Sequence, residues 1–254
     1  MIKLLRYVAL PVLALVAMAG CTTYNVEVIT KPAVQVDDRA DANELHQELA
    51  MATVLVRTDS GTGSGVVVAD GSLVLTAAHV VSHLEPEYDM DGNLKRNPDG
   101  SLIPKVVPEI PVVFKNLGIT PFLSGAEVIK IDVEKDLAVL KLAVKWPYTS
   151  AKLAQSDPYL YQKCWISGHP HGVTDTYITE GRVQDLWDDG FVRYSAPTTF
   201  GNSGGPVFIR EDGKYRLTSI VQRVHVEGMG VAVNHLGLGA LPDVVREFLK
   251  EYIS

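Results

Sequence analysis

Gly201-Asn202-Ser203-Gly204-Gly205-Pro206-Val207-Phe208 is the stretch on which the reading of this chain turns. A serine sits in a run with little side-chain bulk, just before an apolar segment of strand character. A serine hydroxyl at its ordinary pKa is a poor nucleophile and needs a base to take its proton. Two further motifs supply what it lacks. Leu75-Thr76-Ala77-Ala78-His79-Val80 sets an imidazole just after an expected strand, and an imidazole titrates near neutral pH. Asp136-Leu137-Ala138-Val139-Leu140-Lys141-Leu142 opens another strand with a carboxylate, the group that fixes the tautomer of such a base and stabilises its imidazolium. The glycines around Ser203 let backbone N–H groups approach a developing oxyanion, and the amides of Gly201 and Ser203 are the candidates. Each motif alone has an ordinary structural reading. A histidine after a strand is commonly structural, and an aspartate at a strand start is commonly a turn residue. Together they define one site.

The surrounding chain reads as short strands. Residues 51–58, 64–79, 110–114, 126–132 and 137–143 are apolar and β-branched, with Asp70-Gly71 marking a hairpin. After a Pro/Tyr/Ser-containing stretch at 143–160 the rhythm resumes in KCWISG, TYITEGRVQDL, FVRYSA, GPVFI, LTSIVQRVHV and GMGVAVN. Two such sets around a linker predict two barrels. At the end, Leu241, Val244, Val245, Phe248, Leu249 and Tyr252 fall on one face of a helix, with Pro242 in its first turn. A short helix is also expected at 41–50, capped by Asp41 or Asn43. Residues 85–111 break the rhythm with two Asp-Gly turns and five prolines, an extended surface excursion. Asp89–Asn93 faintly resembles a calcium loop, but its twelfth position is Gly100, so turn chemistry is the better reading.

The order His, Asp, Ser is that of the chymotrypsin class, and not that of subtilisins or α/β-hydrolases. The chain resembles a chymotrypsin-fold (trypsin-like) serine peptidase and, within that fold, the protease domain of bacterial HtrA-type proteases. The likeness rests on Gly61-Thr62-Gly63-Ser64-Gly65 leading into Thr76–Val81, on Asp136–Lys141, on the Gly168-His169-Pro170-His171-Gly172 turn and on the intact 201–206 run. The late glycine-rich strand, Gly228–Asn234, matches less well, with Asn234 where the family usually has Pro.

The resemblance covers about residues 50–253. It implies an all-β fold of two six-stranded antiparallel barrels, about 50–142 and about 160–238, with a C-terminal helix at 241–253. The peptidase domain is expected to span 41–254, with the site in the cleft. It implies His79 as base, Asp136 as its orienting carboxylate and Ser203 as nucleophile. Asn202 stands where digestive peptidases have an Asp that pairs with a newly cut N-terminus, so no activating cut is expected. HtrA proteases carry a C-terminal PDZ domain, for which the sequence after the final helix leaves no room. Threading on the family sets Pro197, Thr198 and Thr199 along one wall of the S1 pocket and Ile220, Val221 and Gln222 along the other. No acidic residue falls at its base, which favours a small or medium apolar P1 residue.

Composition narrows the partners. With 23 Lys+Arg and 30 Asp+Glu the 254 residues carry a net charge of −7, the wrong sign for neutralising phosphates, so nucleic acid is not an expected partner. Protein or peptide substrates are. Two cysteines, Cys21 and Cys164, exclude a disulfide-stapled scaffold. Residues 1–20 combine Lys3 and Arg6 with an uncharged apolar run ending in Ala19-Gly20, a signal-peptide pattern. Cys21 directly after it resembles a bacterial lipobox, with Met18 departing from the usual Leu or Val; an ordinary secretory signal is the alternative. On the lipobox reading Cys21 is lipidated, 21–40 is a tether, and the membrane holds the protein through that lipid on the periplasmic side of the bacterial envelope. Thr22 weakly favours the outer membrane. Cys164 then has no partner and is expected to be a buried, inert thiol.

No cofactor or metal is expected. His83 lies four residues from His79, a spacing that suits a metal on a helix, but Asp136 and Ser203 give His79 a better use. His169 and His171 read as turn residues, and Trp146, Trp165 and Trp187 as packing. The sequence sets no oligomeric state. Two rival functions remain: a catalytically silent peptide- or protein-binding lipoprotein on the same fold, and an acyl hydrolase. The latter is disfavoured by the lack of a GxSxG elbow.

Overall fold

The computed structural model describes residues 38–59, 61–83, 96, 98, 105–106, 110–114, 122–186, 190–227 and 231–253. The leader, Cys21, most of the tether, nearly all of 85–111, Trp187 and Gly228–Gly230 lie outside the described residues.

The chain enters through α1 (Asp38–Glu48), which begins three residues before the Asp41 start expected from its sequence. A single 3₁₀ turn leads into β1 (Thr53–Thr58), β2 (Gly61–Val68) and β3 (Leu73–Thr76). Then come the one-turn α2 (Ala78–Val81) and a two-residue ribbon, β4 (Ser82–His83) with β5 (Lys105–Val106). β6 (Ile110–Phe114), β7 (Phe122–Asp132) and β8 (Leu137–Leu142) complete the first half. The second half holds β9 (Lys163–Gly168), β10 (Tyr177–Leu186), β11 (Phe191–Tyr194), β12 (Pro206–Glu211), β13 (Lys214–Glu227) and β14 (Val231–Ala240), followed by α3 (Pro242–Leu249). Two closed six-stranded barrels result, in the orders β1-β2-β3-β8-β7-β6 and β10-β11-β14-β13-β12-β9, and every pairing within them is antiparallel.

Side-chain alternation explains why several strands read as unbroken apolar runs. In β8, Ala138, Leu140 and Leu142 fill the N-terminal barrel with Val54, Val74 and Phe114. Leu137 and Val139 of the same strand join a second cluster that bridges both barrels and α3. In β12, Val207 and Ile209 face the C-terminal barrel with Cys164, Ile166 and Tyr194, while Phe208 packs in the bridging cluster with Trp165, Tyr215 and Leu217. A strand buried on both faces loses the alternation of a half-exposed one. Burial of an aliphatic or aromatic side chain stabilises by about 1.5–3 kcal/mol, so this shared cluster holds the two barrels at a defined separation.

Trp146 and Trp165 are buried, as packing predicts. Trp146 stacks on Phe114 at 4.2 Å between ring centroids and donates its indole N–H to Met51 O at 2.9 Å. α3 seats Pro242, Val245, Phe248 and Leu249. Its C-terminal end is closed by Lys130, whose ammonium donates to Phe248 O at 2.9 Å, pairs with Glu251 and lies over the Phe248 ring. Among the described residues no helix is long and apolar enough to cross a membrane.

Candidate active site

His79 is carried by α2, one residue beyond the bend that follows β3. Asp136 ends the β7–β8 turn with φ +51°, a left-handed conformation that aspartate tolerates better than most residues. Its carboxylate does two jobs. Oδ1 accepts the backbone N–H of His79 at 2.9 Å, and the pair of oxygens lies 2.8 and 3.0 Å from His79 Nδ1. An ionised carboxylate only accepts, so Nδ1 carries the hydrogen and Nε2 is left as the basic atom. The turn itself is braced from the other barrel. Gln222, buried on β13, donates its amide to Lys135 O at 2.5 Å and to Asp136 O at 3.0 Å.

Ser203 lies in the loop between β11 and β12, and the backbone of that loop is bonded in an alternating pattern. Asn202 N donates to Thr199 O, Gly204 N to Val221 O and Gly205 N to Asn202 O. Phe200 O accepts from His171 N at 2.7 Å, and Ser203 O accepts from Ser64 N at 2.7 Å. The carbonyl and N–H of a trans peptide point in opposite directions. Engagement of Phe200 O by His171 therefore turns the Gly201 N–H away from the 169–172 segment. Across 201–205, the amides of Gly201 and Ser203 donate to nothing among the described residues. They are the two donors proposed from sequence for an oxyanion.

Glycine is required at two places here. At Gly201, φ +92°, a Cβ would stand 2.5 Å from His171 N. At Gly204, φ +81°, a Cβ would stand 2.1 Å from Thr76 Oγ1 and 2.2 Å from Ser64 O. Ser203 Oγ makes no hydrogen bond to His79 among the described residues. Catalytic hydrogen bonds of unliganded sites are often long and tighten on substrate binding.

Three cavities bear on function. A recess of about 310 Å³ is lined by Ala78, His79, Val133, Asp136, Gln222 and Arg223. A mainly apolar cavity of about 150 Å³ collects Pro197, Thr198 and Thr199 with Ile166, Tyr177 and Asn234. A third, about 840 Å³, lies against α3 and the β12–β13 turn and contains none of His79, Asp136 and Ser203.

The two expected walls of a substrate pocket thus part company. Ile220 and Val221 are buried, Ile220 in the bridging cluster and Val221 in the C-terminal barrel. Gln222 faces the Asp136 turn instead. The reason is the alternation of β13: an apolar pair between two cores points its side chains into both of them.

The other singled-out residues have plainer surroundings. Cys164 is a free, fully buried thiol whose pKa burial pushes up to about 12, which keeps it protonated and unreactive at neutral pH. His169 is buried, and burial lowers its pKa from 6.5 to about 4. Its Nδ1 lies 3.1 Å from Val173 O, and Nε2 has no hydrogen-bond partner among the described residues. His171, φ +53°, is exposed and reaches Thr199 Oγ1 at 3.5 Å. Among the described residues no group of His, Cys, Asp and Glu could hold a metal ion.

Fold and site together define a trypsin-like peptidase domain: the chain matches that family over residues 63–215, more than half its length, and belongs to it. The magnetosome formation protease MamE of Paramagnetospirillum magneticum is a relative, 27% identical over 168 residues, with 62% of this chain and 20% of MamE covered. The serine endoprotease from Yersinia pestis is a structural neighbour with TM-score 0.61 and 20% identity, covering 83% of this chain and 66% of that one. The HtrA-type protease AlgW, solved with a tripeptide, has TM-score 0.61 and 22% identity over 84% of this chain and 63% of its own. At such identities the structural likeness establishes the fold. This chain spans about a fifth of MamE's length.

Proposed function

We propose that the protein is a serine endopeptidase with a His79–Asp136–Ser203 triad, acting on protein or peptide substrates. The observation that carries this reading is the double attachment of His79 to Asp136, through the ring and through the backbone amide. It leaves Nε2 as the base. Ser203 Oγ attacks the scissile carbonyl carbon while Nε2 takes the hydroxyl proton, and the carbonyl electron pair moves onto oxygen. The Gly201 and Ser203 amides hold that oxyanion. Collapse expels the amine, protonated by the same Nε2, and leaves an acyl-Ser203 ester. Water then repeats the sequence and releases the acid. Asp136 stabilises the imidazolium in both halves. No step needs a cofactor or metal.

The P1 side chain is proposed to be small or medium and apolar, seated against Pro197, Thr198 and Thr199. Lipidation at Cys21 would hold the enzyme on a bacterial envelope membrane facing the periplasm, and envelope proteins would be its substrates. The unmade Ser203–His79 hydrogen bond favours one second reading, a silent binding protein on this fold.

Labelling of the full-length protein with a fluorophosphonate, read by intact mass beside Ser203→Ala, separates the two. One adduct on the parent and none on the variant supports the peptidase. A folded parent that takes no adduct sinks it and leaves the binding protein.

A further inference from the structure

Ser64 lies on β2 of the N-terminal barrel, fully buried, between Gly63 and Gly65. Its hydroxyl donates to Gly201 O at 2.8 Å and accepts the His169 N–H at 2.9 Å. Its backbone N–H donates to Ser203 O at 2.7 Å. Its carbonyl accepts from Thr76 Oγ1 at 2.7 Å, and Thr76 ends the strand that leads to His79. One residue therefore bonds to the carbonyls of both amino acids whose amides are left open, and to the approach of the base.

We propose that Ser64 is a positioning residue for catalysis: from the N-terminal barrel it fixes the 201–202 and 203–204 peptide planes, which bracket the 202–203 plane carrying the Ser203 N–H and adjoin the 200–201 plane carrying the Gly201 N–H, so that the two open amides stay aimed at the reacting carbonyl. It touches no substrate and acts only through the loop. The hydroxyl gives its one hydrogen and accepts another. It closes a ring of contacts in which His169 N, Gly201 O, His171 N and Phe200 O tie the 169–172 turn to the 199–203 loop. Without it, Gly201 O and the N–H of the buried His169 lose their partner, and the 201–202 peptide is free to rotate about Gly201, where glycine offers little steric resistance. Oxyanion donors work because they are oriented before charge develops. A loop that must reorder in each turnover loses that advantage. This inference rests on the peptidase reading for its effect on rate, and on geometry alone for its effect on the loop.

The test uses the full-length protein and Ser64→Ala, which removes the hydroxyl and keeps the backbone amide. Fluorophosphonate labelling should slow by about 10- to 100-fold, a loss comparable to that of an oxyanion donor or somewhat smaller. The pH midpoint of labelling should stay that of the parent, because His79 and Asp136 are untouched. Amide hydrogen exchange should quicken in 169–172 and 199–205 and stay unchanged in β8. Ser64→Cys keeps the shape with weaker hydrogen bonds and should lose about 3- to 10-fold; it carries the test should Ser64→Ala not fold. Labelling within two-fold of the parent, or exchange quickened equally throughout the chain, would overturn the proposal. A parent that takes no label defeats the peptidase reading instead. Exchange in the two segments then decides alone, and unchanged exchange there overturns the role of Ser64.

Discussion

The N-terminal barrel holds its share of the site by side chains, and the C-terminal barrel holds its share by backbone. His79 and Asp136 are joined through three contacts to one carboxylate. Among the described residues Ser203 has no such side-chain partner, and its loop is set by peptide groups bonded to Thr199, Val221, Asn202, His171 and Ser64. A base needs a defined tautomer, which a carboxylate supplies. An oxyanion needs fixed donor vectors, which a locked main chain supplies here. The difference predicts that polar substitutions on the first side cost rate, while backbone substitutions on the second cost structure.

The largest expected effect is on the first side. Asp136→Asn keeps the shape of the side chain but offers an N–H where Nδ1–H needs an acceptor, so the ring adopts the wrong tautomer. The value of kcat/KM should fall by about 10³- to 10⁴-fold with an unchanged melting temperature. A loss under 10-fold, measured on any cleavable peptide or ester, would break the assignment of His79 as base.

On the second side the contrast is between two glycines. Gly204→Ala forces a Cβ onto Thr76 Oγ1 and Ser64 O at a residue with φ +81°. It should destabilise the fold by about 3–5 kcal/mol or prevent folding. Gly125→Ala on β7 meets nothing within 4 Å and should stay within about 0.5 kcal/mol. Equal melting temperatures for the two variants would show that the loop is not locked as described.

Much of this was legible in the sequence because it is local. The Asp70-Gly71 hairpin, the apolar runs and the three short motifs each occupy a few consecutive residues, and the barrels follow from their rhythm. What escaped notice is carried by single hydrogen bonds between distant positions. Gln222 reaches the Asp136 turn across 86 positions and Ser64 reaches Gly201 across 137, and neither bond leaves a periodic trace. The side chains of Ile220 and Val221 follow a local signal: an apolar pair within LTSIVQ, in a chain whose other unbroken runs bury both faces, sends its side chains into two cores.

His169 sharpens the comparison through pH. Burial holds its native pKa at about 4 against 6.5 in the unfolded chain, offset in part by the Val173 carbonyl and by Asp175. Between those values the unfolded chain takes up a proton that the folded chain refuses, so stability falls as pH falls from 6.5 toward 4. The total loss from this residue is about 3 kcal/mol. Denaturant unfolding at pH 7, 5.5 and 4.5 should therefore show a shallower pH slope for His169→Leu than for the parent. Identical slopes would mean that the 169–172 turn opens to water before the chain unfolds.

The smallest effect belongs to Gln222, which braces the Asp136 turn from the C-terminal barrel. Gln222→Met keeps the length and removes the donor to Lys135 O and Asp136 O. Loss of such a partly buried hydrogen bond costs about 1 kcal/mol. Asp136 keeps its bonds to His79, so kcat should drop by about 3- to 10-fold with KM unchanged. A drop as deep as that of Asp136→Asn would mean that the left-handed turn does not hold without Gln222. The base would then depend on both barrels, and the division between side-chain and backbone control would fail at its strongest point.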